Sequence, residues 1–572
     1  MVNLIIDGKN ITVENGITIL EAARSAGINI PTLCYLKDIN EIGACRVCVV
    51  EIEGNANLCA ACNTQAEDGM VIYTNSPRVR TARRINLELI LSAHNTNCTS
   101  CVRNGNCTLQ TLCRDLNITD IPFEVTYKKK KWDTSIPLIR DREKCVKCMR
   151  CISVCEKVQG LGVWDIVGTG HRTTVGIRGT TDFNATKCAL CGQCITHCPV
   201  GALHERDDTR NLLDALGDPN KIVIAQVAPA VRTAWGEDLG LTREQATVGK
   251  MVSALRTIGF DYVFDTDFAA DMTIMEEGSE LLERLSHKED YSWPMFTSCC
   301  PGWIRFLKHE YPEFTQNLSS AKSPQQMFGS IAKTYFAKKL GVDAEKIVCV
   351  SIMPCIAKKY EADVPQVSSV SEKDVDIVLT TREICRMLRS GGLDFAKIQE
   401  SEFDAPLGLG TGAGVIFGTS GGVMEAALRS AHYLITGENP DADKFSAVRG
   451  MDGWKERTVQ VGDATLNVAV TNGLANARRL IEAIKAGKVS YDFVEIMACP
   501  GGCVGGGGQP IRDGQELAAE RSKTLRNLDS ASVIRFSHEN PFIKTVYEEY
   551  LEKPNSHIAH ELLHTSHQEW DI

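Results

Sequence analysis

CVKCMRCISVC, residues 145–155, and CALCGQCITHCP, residues 188–199, set eight cysteines in two copies of one pattern, C-x2-C-x2-C-x3-C. Three closely spaced thiolates cap one face of a cubane, and the fourth of each run reaches across to the other cluster. Cys145, Cys148, Cys151 and Cys198 are thereby expected to hold one [4Fe–4S] cluster, and Cys188, Cys191, Cys194 and Cys155 a second. The second run ends in Pro199, as the pattern asks, and the first in Glu156. Zinc has little claim on this spacing, and so the segment decides how the other cysteines are read.

The chain has 24 cysteines in 572 residues. A disulfide framework belongs to small secreted chains, and most of these thiols stand in CxxC pairs, too close for easy bridging. The hydrophobic fraction of 43% and charged fraction of 23% are those of a globular protein of several domains. A net charge of −10 argues against a nucleic-acid partner. No apolar run reaches the length of a membrane span. The opening MVNLIIDGKNITVENG alternates like a strand and turn rather than a signal peptide, so a cytoplasmic protein is expected.

Toward the N-terminus, residues 1–78 read as short strands around the helix ITILEAARSAG and a cysteine-rich loop. Cys34, Cys45, Cys48 and Cys62 give C-x10-C-x2-C-x13-C, similar in type to a [2Fe–2S] ferredoxin-like domain; Cys59 is read as spare. Residues 79–124 carry a helical stretch and then HNTNCTSCVRNGNC, where His94, Cys98, Cys101 and Cys107 could close one metal site. Zinc and iron–sulfur are equally compatible with that set; Cys113 is read as lying outside it. YKKKKWDTSIPL opens the two-cluster ferredoxin-like domain, 125–208, as a linker with solvated lysines.

From 209 to 572 apolar strand-like runs alternate with helical patterns: KIVIAQVAPAV, KMVSALRTIGF, KIVCVSIMPC, DVDIVLTTREICRML, LNVAVTNG and DFVEIMACPGGC. The expected fold class is therefore multidomain α/β and α+β, with a mainly parallel sheet in a large two-lobed C-terminal domain. Ligand sites in such sheets gather at the carboxyl ends of strands, and there stand TSCCPGW, MPCIAKKYE and MACPGGCVGGGGQP. Cys300, Cys355, Cys499 and Cys503 could supply four thiolates to one cubane. Gly501, Gly502 and Gly505 to Gly508 would let backbone approach a bulky inorganic ligand. No Lys-Ser/Thr follows them, against a phosphate loop.

In this order and behind these modules, TSCCPGW, MPC-x2-K-x2-E and ACPGGC-x2-GGGQP resemble the [FeFe]-hydrogenases over nearly the whole chain. The resemblance implies an H-cluster, a [4Fe–4S] cubane bridged through one cysteine to a di-iron unit carrying CO, cyanide and an azadithiolate. By matching positions Cys300, Cys355 and Cys499 bind the cubane, and Cys503 binds it while bridging. Three accessory [4Fe–4S] clusters and one [2Fe–2S] cluster complete the implied set. Cys299 takes the place of the proton-delivery thiol, a group whose donor and acceptor roles reverse easily. Glu277, Glu280, Arg284 and Ser319 take the places of the relay to solvent; from spacing alone, MEEGSELLER reads equally as a surface ion-pair row. Lys358 matches a lysine that hydrogen-bonds a cyanide. Met353, Met497, Pro229, Ala230, Ser323, Gln325 and Phe417 match the wall around the di-iron unit, with Ala230 where the family often has serine.

AHELLHT contains H-E-x-x-H, His560, Glu561 and His564, the pattern of zinc peptidases. Few residues follow, and the family match makes this a C-terminal helix instead. The second class of function is a non-catalytic electron-transfer, sensory or cluster-assembly relative; Cys299, Lys358 and the intact GGGQP loop favour turnover. The expected reaction is reversible 2H⁺ + 2e⁻ ⇌ H₂. The resemblance implies maturation proteins, and ferredoxin or flavin- and NAD(P)-binding hydrogenase subunits as electron partners, since no convincing dinucleotide fingerprint stands in this chain.

Overall fold

The computed structural model describes residues 1–127 and 131–570. Lys128 to Lys130 of the expected linker lie outside the described residues. The remainder of that segment is not a free tether. Trp132 stacks on Trp164 at 6.3 Å, meets Phe183 edge-on at 5.4 Å, and donates Nε1–H to the Leu138 carbonyl at 2.8 Å.

The first module is a five-stranded sheet ordered Lys9–Val13, Val2–Ile6, Val71–Tyr73, Val49–Ile52, Cys59–Ala60. Alternation in VNLII sends Val2, Leu4 and Ile6 into its core, against Ile19 and Leu20 of the helix Ile19–Ser25. Thr18 caps that helix by accepting from the Glu21 N–H. Next comes the helix Pro77–Ser92, begun by Ser76 with Pro77 in its first turn. Beyond it the two cysteine runs sit between two small hairpin-like pairings, Leu138–Arg140 with Leu203–Glu205 and Trp164–Val167 with Thr174–Ile177.

The last two-thirds of the chain holds two four-stranded sheets. The first is wholly parallel, ordered Tyr262–Asp265, Ile222–Val227, Ile347–Met353, Ile377–Thr380. The second runs Met295–Phe296, Phe493–Met497, Ala464–Asn472 in parallel and adds Trp454–Val461 as an antiparallel edge. Central strands such as FVEIM are buried on both faces, which is why they read as continuous apolar runs. Each sheet has its own core, and the helix Thr266–Ser286 serves both. Phe268 and Met272 enter the first core, while Ala270, Ile274 and Leu281 enter the second. Among the described residues no helix is long and apolar enough to cross a membrane.

Candidate active site at the seam of two sheets

Cys300 follows the strand Met295–Phe296 and caps the helix Pro301–Glu310, with Pro301 in its first turn. Cys355 follows Ile347–Met353; Cys499 and Cys503 follow Phe493–Met497. The expected strand ends thus come from both sheets, and the quartet lies on the seam. Burial pushes the Cys499 thiol well up, and Cys355, Cys191, Cys300 and Cys503 push it further. Cys355 is raised to about 12 by burial and then by Cys300. Thiolates crowded in this way repel one another, and a multiply charged metal centre among them removes that cost. The donor set therefore fits a cubane.

Beside the quartet is a cavity lined by Pro229, Ala230, Gln325, Met353, Phe417 and Met497, with Cys299, Cys355, Cys503 and Lys358. Ser323 is not among its lining residues. Its hydroxyl donates to Glu361 Oε2 at 2.9 Å. Lys358 reaches the cavity, but its ammonium is held by Glu361 (2.9 and 3.1 Å) and by the Cys299 carbonyl at 3.1 Å. Glu361 also accepts from Gln325 Nε2 at 3.1 Å, so one buried carboxylate orients Lys358 and Gln325 at the cavity and Ser323 behind it. In the sequence Glu361 shows itself only through the i,i+3 Lys–Glu spacing of MPC-x2-K-x2-E.

Cys299 also neighbours Glu277 on the acidic face of the helix Thr266–Ser286. A surface ion-pair row is excluded, because Glu277 is 1%, Glu280 8% and Arg284 5% exposed. Burial and the neighbouring Glu280 raise the Glu277 carboxyl to about 8, and neither oxygen has a hydrogen-bond partner at normal distance. Burial, then Glu277, holds the Cys299 thiol well above its ordinary range. Glu280 accepts from Ser319 Oγ at 2.7 Å and from Arg284 Nη2 at 2.5 Å. Arg284 also donates to the Leu318 carbonyl and lies 5.2 Å from the Tyr291 ring.

Around the front clusters, the Cys34 thiol meets those of Cys45 and Cys62, and Cys62 in turn meets Cys48. Cys59 points elsewhere, 3.6 Å from Asn55 Nδ2. His94 donates its Nδ1–H to the Lys144 carbonyl, 2.9 Å away, which leaves Nε2 for a metal. It shares a cavity with Cys98, Cys101 and Cys107; Cys113 lines the same cavity. In the repeat, Cys148 feels Cys198 and Cys188 feels Cys155, so the last thiol of each run lies near the other run's first three. Asn40 Nδ2 donates to the carbonyls of Cys34 (2.7 Å) and Cys148 (3.0 Å), and Arg103 Nη1 to that of Cys198 at 3.2 Å. Cys499 Sγ lies 3.7 Å from the Cys191 carbonyl.

The glycines of the last loop make room for backbone rather than for cofactor. A Cβ on Gly506 or Gly508 would strike Pro354, and one on Gly507 would lie 2.3 Å from the Cys191 oxygen. Gly502, at φ +90°, fits against the Ser420 nitrogen. The H-E-x-x-H pattern is not a metal site: His560 and Glu561 are exposed, while the buried His564 ring lies between Glu276 and Ser320.

Comparison with known proteins gives one consistent picture. Residues 221–507 match the iron only hydrogenase large subunit, C-terminal domain, and residues 515–570 the iron hydrogenase small subunit. In front, 1–77 match a 2Fe-2S iron-sulfur cluster binding domain, 83–122 the NADH-ubiquinone oxidoreductase-G iron-sulfur binding region, and 144–202 a 4Fe-4S dicluster domain. The chain is 49% identical to the NADP-reducing hydrogenase subunit HndD of Solidesulfovibrio fructosivorans over 99% of its own length and 98% of the relative's. It is 40% identical to iron hydrogenase 1 of Clostridium pasteurianum over 99% of both. The apo [FeFe]-hydrogenase HydA1 from Chlamydomonas reinhardtii superposes with TM-score 0.57 at 45% identity, over 63% of this chain and 98% of that one. Thiols crowded at this seam, and likeness that runs from end to end, lead to one conclusion: the chain belongs to the [FeFe]-hydrogenases, as a large multi-cluster member carrying an H-cluster, three accessory [4Fe–4S] clusters and one [2Fe–2S] cluster.

Proposed function

We propose that the chain interconverts H₂ with protons and electrons, that Cys300, Cys355, Cys499 and Cys503 hold the H-cluster, and that the wall residues around the neighbouring cavity enclose its di-iron unit. When bound, the H-cluster supplies the metal centre at which the H–H bond is made or broken, and the accessory clusters supply one-electron stepping stones. Cys299 lines the cavity and keeps its proton until a base asks for it, because burial opposes the thiolate. Glu277 sits near balance at neutral pH, so it can both take and return that proton. Ser319, Glu280 and Arg284 form the hydrogen-bonded continuation outward. Lys358, tethered by Glu361, places a fixed positive charge at the cavity.

Cys34, Cys45, Cys48 and Cys62 hold the [2Fe–2S] cluster in this reading; His94, Cys98, Cys101 and Cys107 hold a [4Fe–4S] cluster. The two crossed sets of the repeat hold the others. Backbone contacts at Asn40, Arg103 and Cys191 line these groups up toward the quartet. Residues 1–78, 79–124, 125–208 and 209–572 are the proposed domains, in a cytoplasmic protein loaded by maturation proteins. The relative at 49% identity is named as a subunit of an NADP-reducing hydrogenase. That supports electron exchange with a flavin- and NAD(P)-binding partner subunit, with ferredoxin as the simpler alternative.

The observation that carries this reading is the cavity shared by Cys299, Lys358 and two quartet thiols. Infrared spectra of the matured, anaerobic protein are expected to show carbonyl and cyanide stretching bands. Cys299→Ala should keep those bands and lose turnover by about 10²–10⁴-fold. Their absence from the wild type, or full turnover in the variant, sinks the assignment.

A further inference from the structure

We infer that His564 is a positioning residue of the proton relay, tying together the two segments that carry it; this rests on the relay reading above. His564 Nδ1 meets Ser320 Oγ at 2.8 Å, and its Nε2 meets Glu276 Oε2 at 3.0 Å. Ser320 adjoins Ser319, and its own N–H donates to Glu280 at 3.1 and 3.3 Å. Glu276 adjoins Glu277 on the helix Thr266–Ser286. One imidazole therefore spans the serine turn and the glutamate helix.

The rest of the C-terminal segment fastens the same turn. His567 Nε2 donates to the Ser319 carbonyl at 2.9 Å, and burial keeps that ring neutral. Thr565 N–H donates to the Ser320 carbonyl at 2.9 Å, and Lys322 N–H to that of Leu563 at 2.8 Å. Lys322 Nζ donates to the Leu562 carbonyl at 2.8 Å. Ala321 and His564 form an isolated antiparallel bridge. Glu276 is wholly buried and is further held by Tyr547 Oη and, at 2.8 Å, the Asn555 N–H. Such a fully partnered carboxylate is an anchor, unlike Glu277 next to it. A hydroxyl that must hand a proton to Glu280 works only within hydrogen-bond reach, so a small displacement of the serine turn costs rate.

The test uses the loaded enzyme and, in parallel, iron-free protein. His564→Ala and Ser320→Ala, which deletes only the hydroxyl that His564 meets, are compared with Glu280→Gln. Glu280→Gln tests the relay itself and identifies the carboxylate infrared band of Glu280. Both positioning variants should lower turnover on the order of tenfold and enlarge the solvent deuterium isotope effect. They should also shift the Glu280 band in iron-free protein, with melting temperature and iron content unchanged. If Glu280→Gln slows the enzyme while both variants keep wild-type turnover, isotope effect and band position, the positioning role is wrong. A loss that only follows lost iron or a lowered melting temperature also overturns it. Should His564→Ala not fold, Ser320→Ala alone decides by the same readouts. Unchanged turnover in Glu280→Gln instead removes the relay.

Discussion

The thiol quartet stands between two walls of opposite make. Toward Cys191 the wall is closely packed backbone, with side chains donating to its carbonyls. Gly507 presses on Cys191 and Gly192, Gln193 Nε2 donates to the Gly505 carbonyl at 2.8 Å, and Arg305 Nε to that of Cys188 at 2.9 Å. Toward Glu277 it is made of buried polar side chains with open valences: both Glu277 oxygens, and Nε and Nη1 of Arg284, have no partner at normal hydrogen-bond distance. Each such group costs about 1–3 kcal/mol, and burial of this kind is rarely kept without use. On the proposed function, the difference is one of cargo. An electron needs only short distance through rigid matter, whereas a proton needs donors and acceptors free to exchange roles.

The largest effect is expected on the polar side. Glu277→Gln keeps shape and removes the exchangeable proton, so turnover should fall about a hundredfold. Stability gives an independent readout. The carboxyl is harder to ionise in the folded chain than in the unfolded one, so the folded state holds its proton longer. The wild type therefore loses stability as pH rises from the usual carboxylate range to about 8, by about 5 kcal/mol at most. Below that window the two proteins should melt alike, and above it the glutamine variant should melt higher. Parallel melting curves across the window would show that Glu277 is not held as described.

Gly507→Ala addresses the backbone wall. Its Cβ would lie 2.3 Å from the Cys191 oxygen and 2.5 Å from Gly192 Cα, neither of which is a flexible tip. A destabilisation of about 1–3 kcal/mol is expected in denaturant melts, with slowed electron delivery. The solvent isotope effect should stay at its wild-type value. An enlarged isotope effect in this variant would mean that the two walls are not separate in function.

How much of this was readable before folding depends on where partners lie along the chain. CVKCMRCISVC and CALCGQCITHCP carry their geometry in their spacing, because a short loop brings three thiols to one face. Cys300, Cys355 and Cys499 do not; their places after strands make them candidates for one centre, but their meeting depends on how two sheets stack, and the family resemblance supplies the assignment. MEEGSELLER has the period of a surface helix, yet Thr266–Ser286 is buried because it serves the cores of both lobes. Glu361 does not stand out in the sequence, because a Lys–Glu pair at i,i+3 is usually solvated. H-E-x-x-H is a decoy for the converse reason: spacing offers two imidazoles on one face, but the helix His557–Leu563 ends before His564 and turns that ring inward. The Gly505 to Gly508 run announced close approach without saying to what.

The smallest effect tests the front of the chain, where spacing left two candidates for one ligand. Cys59 sits on the edge strand Cys59–Ala60, paired opposite Val50, with its thiol among the asparagines of the preceding turn. Cys62 is wholly buried and meets both Cys34 and Cys48. A half-exposed thiol that touches no other thiol can lose its sulfur without disturbing a cluster. Cys59→Ser should therefore leave the [2Fe–2S] visible spectrum intact and shift stability by less than about 0.5 kcal/mol. Cys62→Ser, by contrast, should abolish that spectrum. The reverse pattern would mean that the loop closes around its cluster in another register, with the edge strand peeled away to bring Cys59 inward.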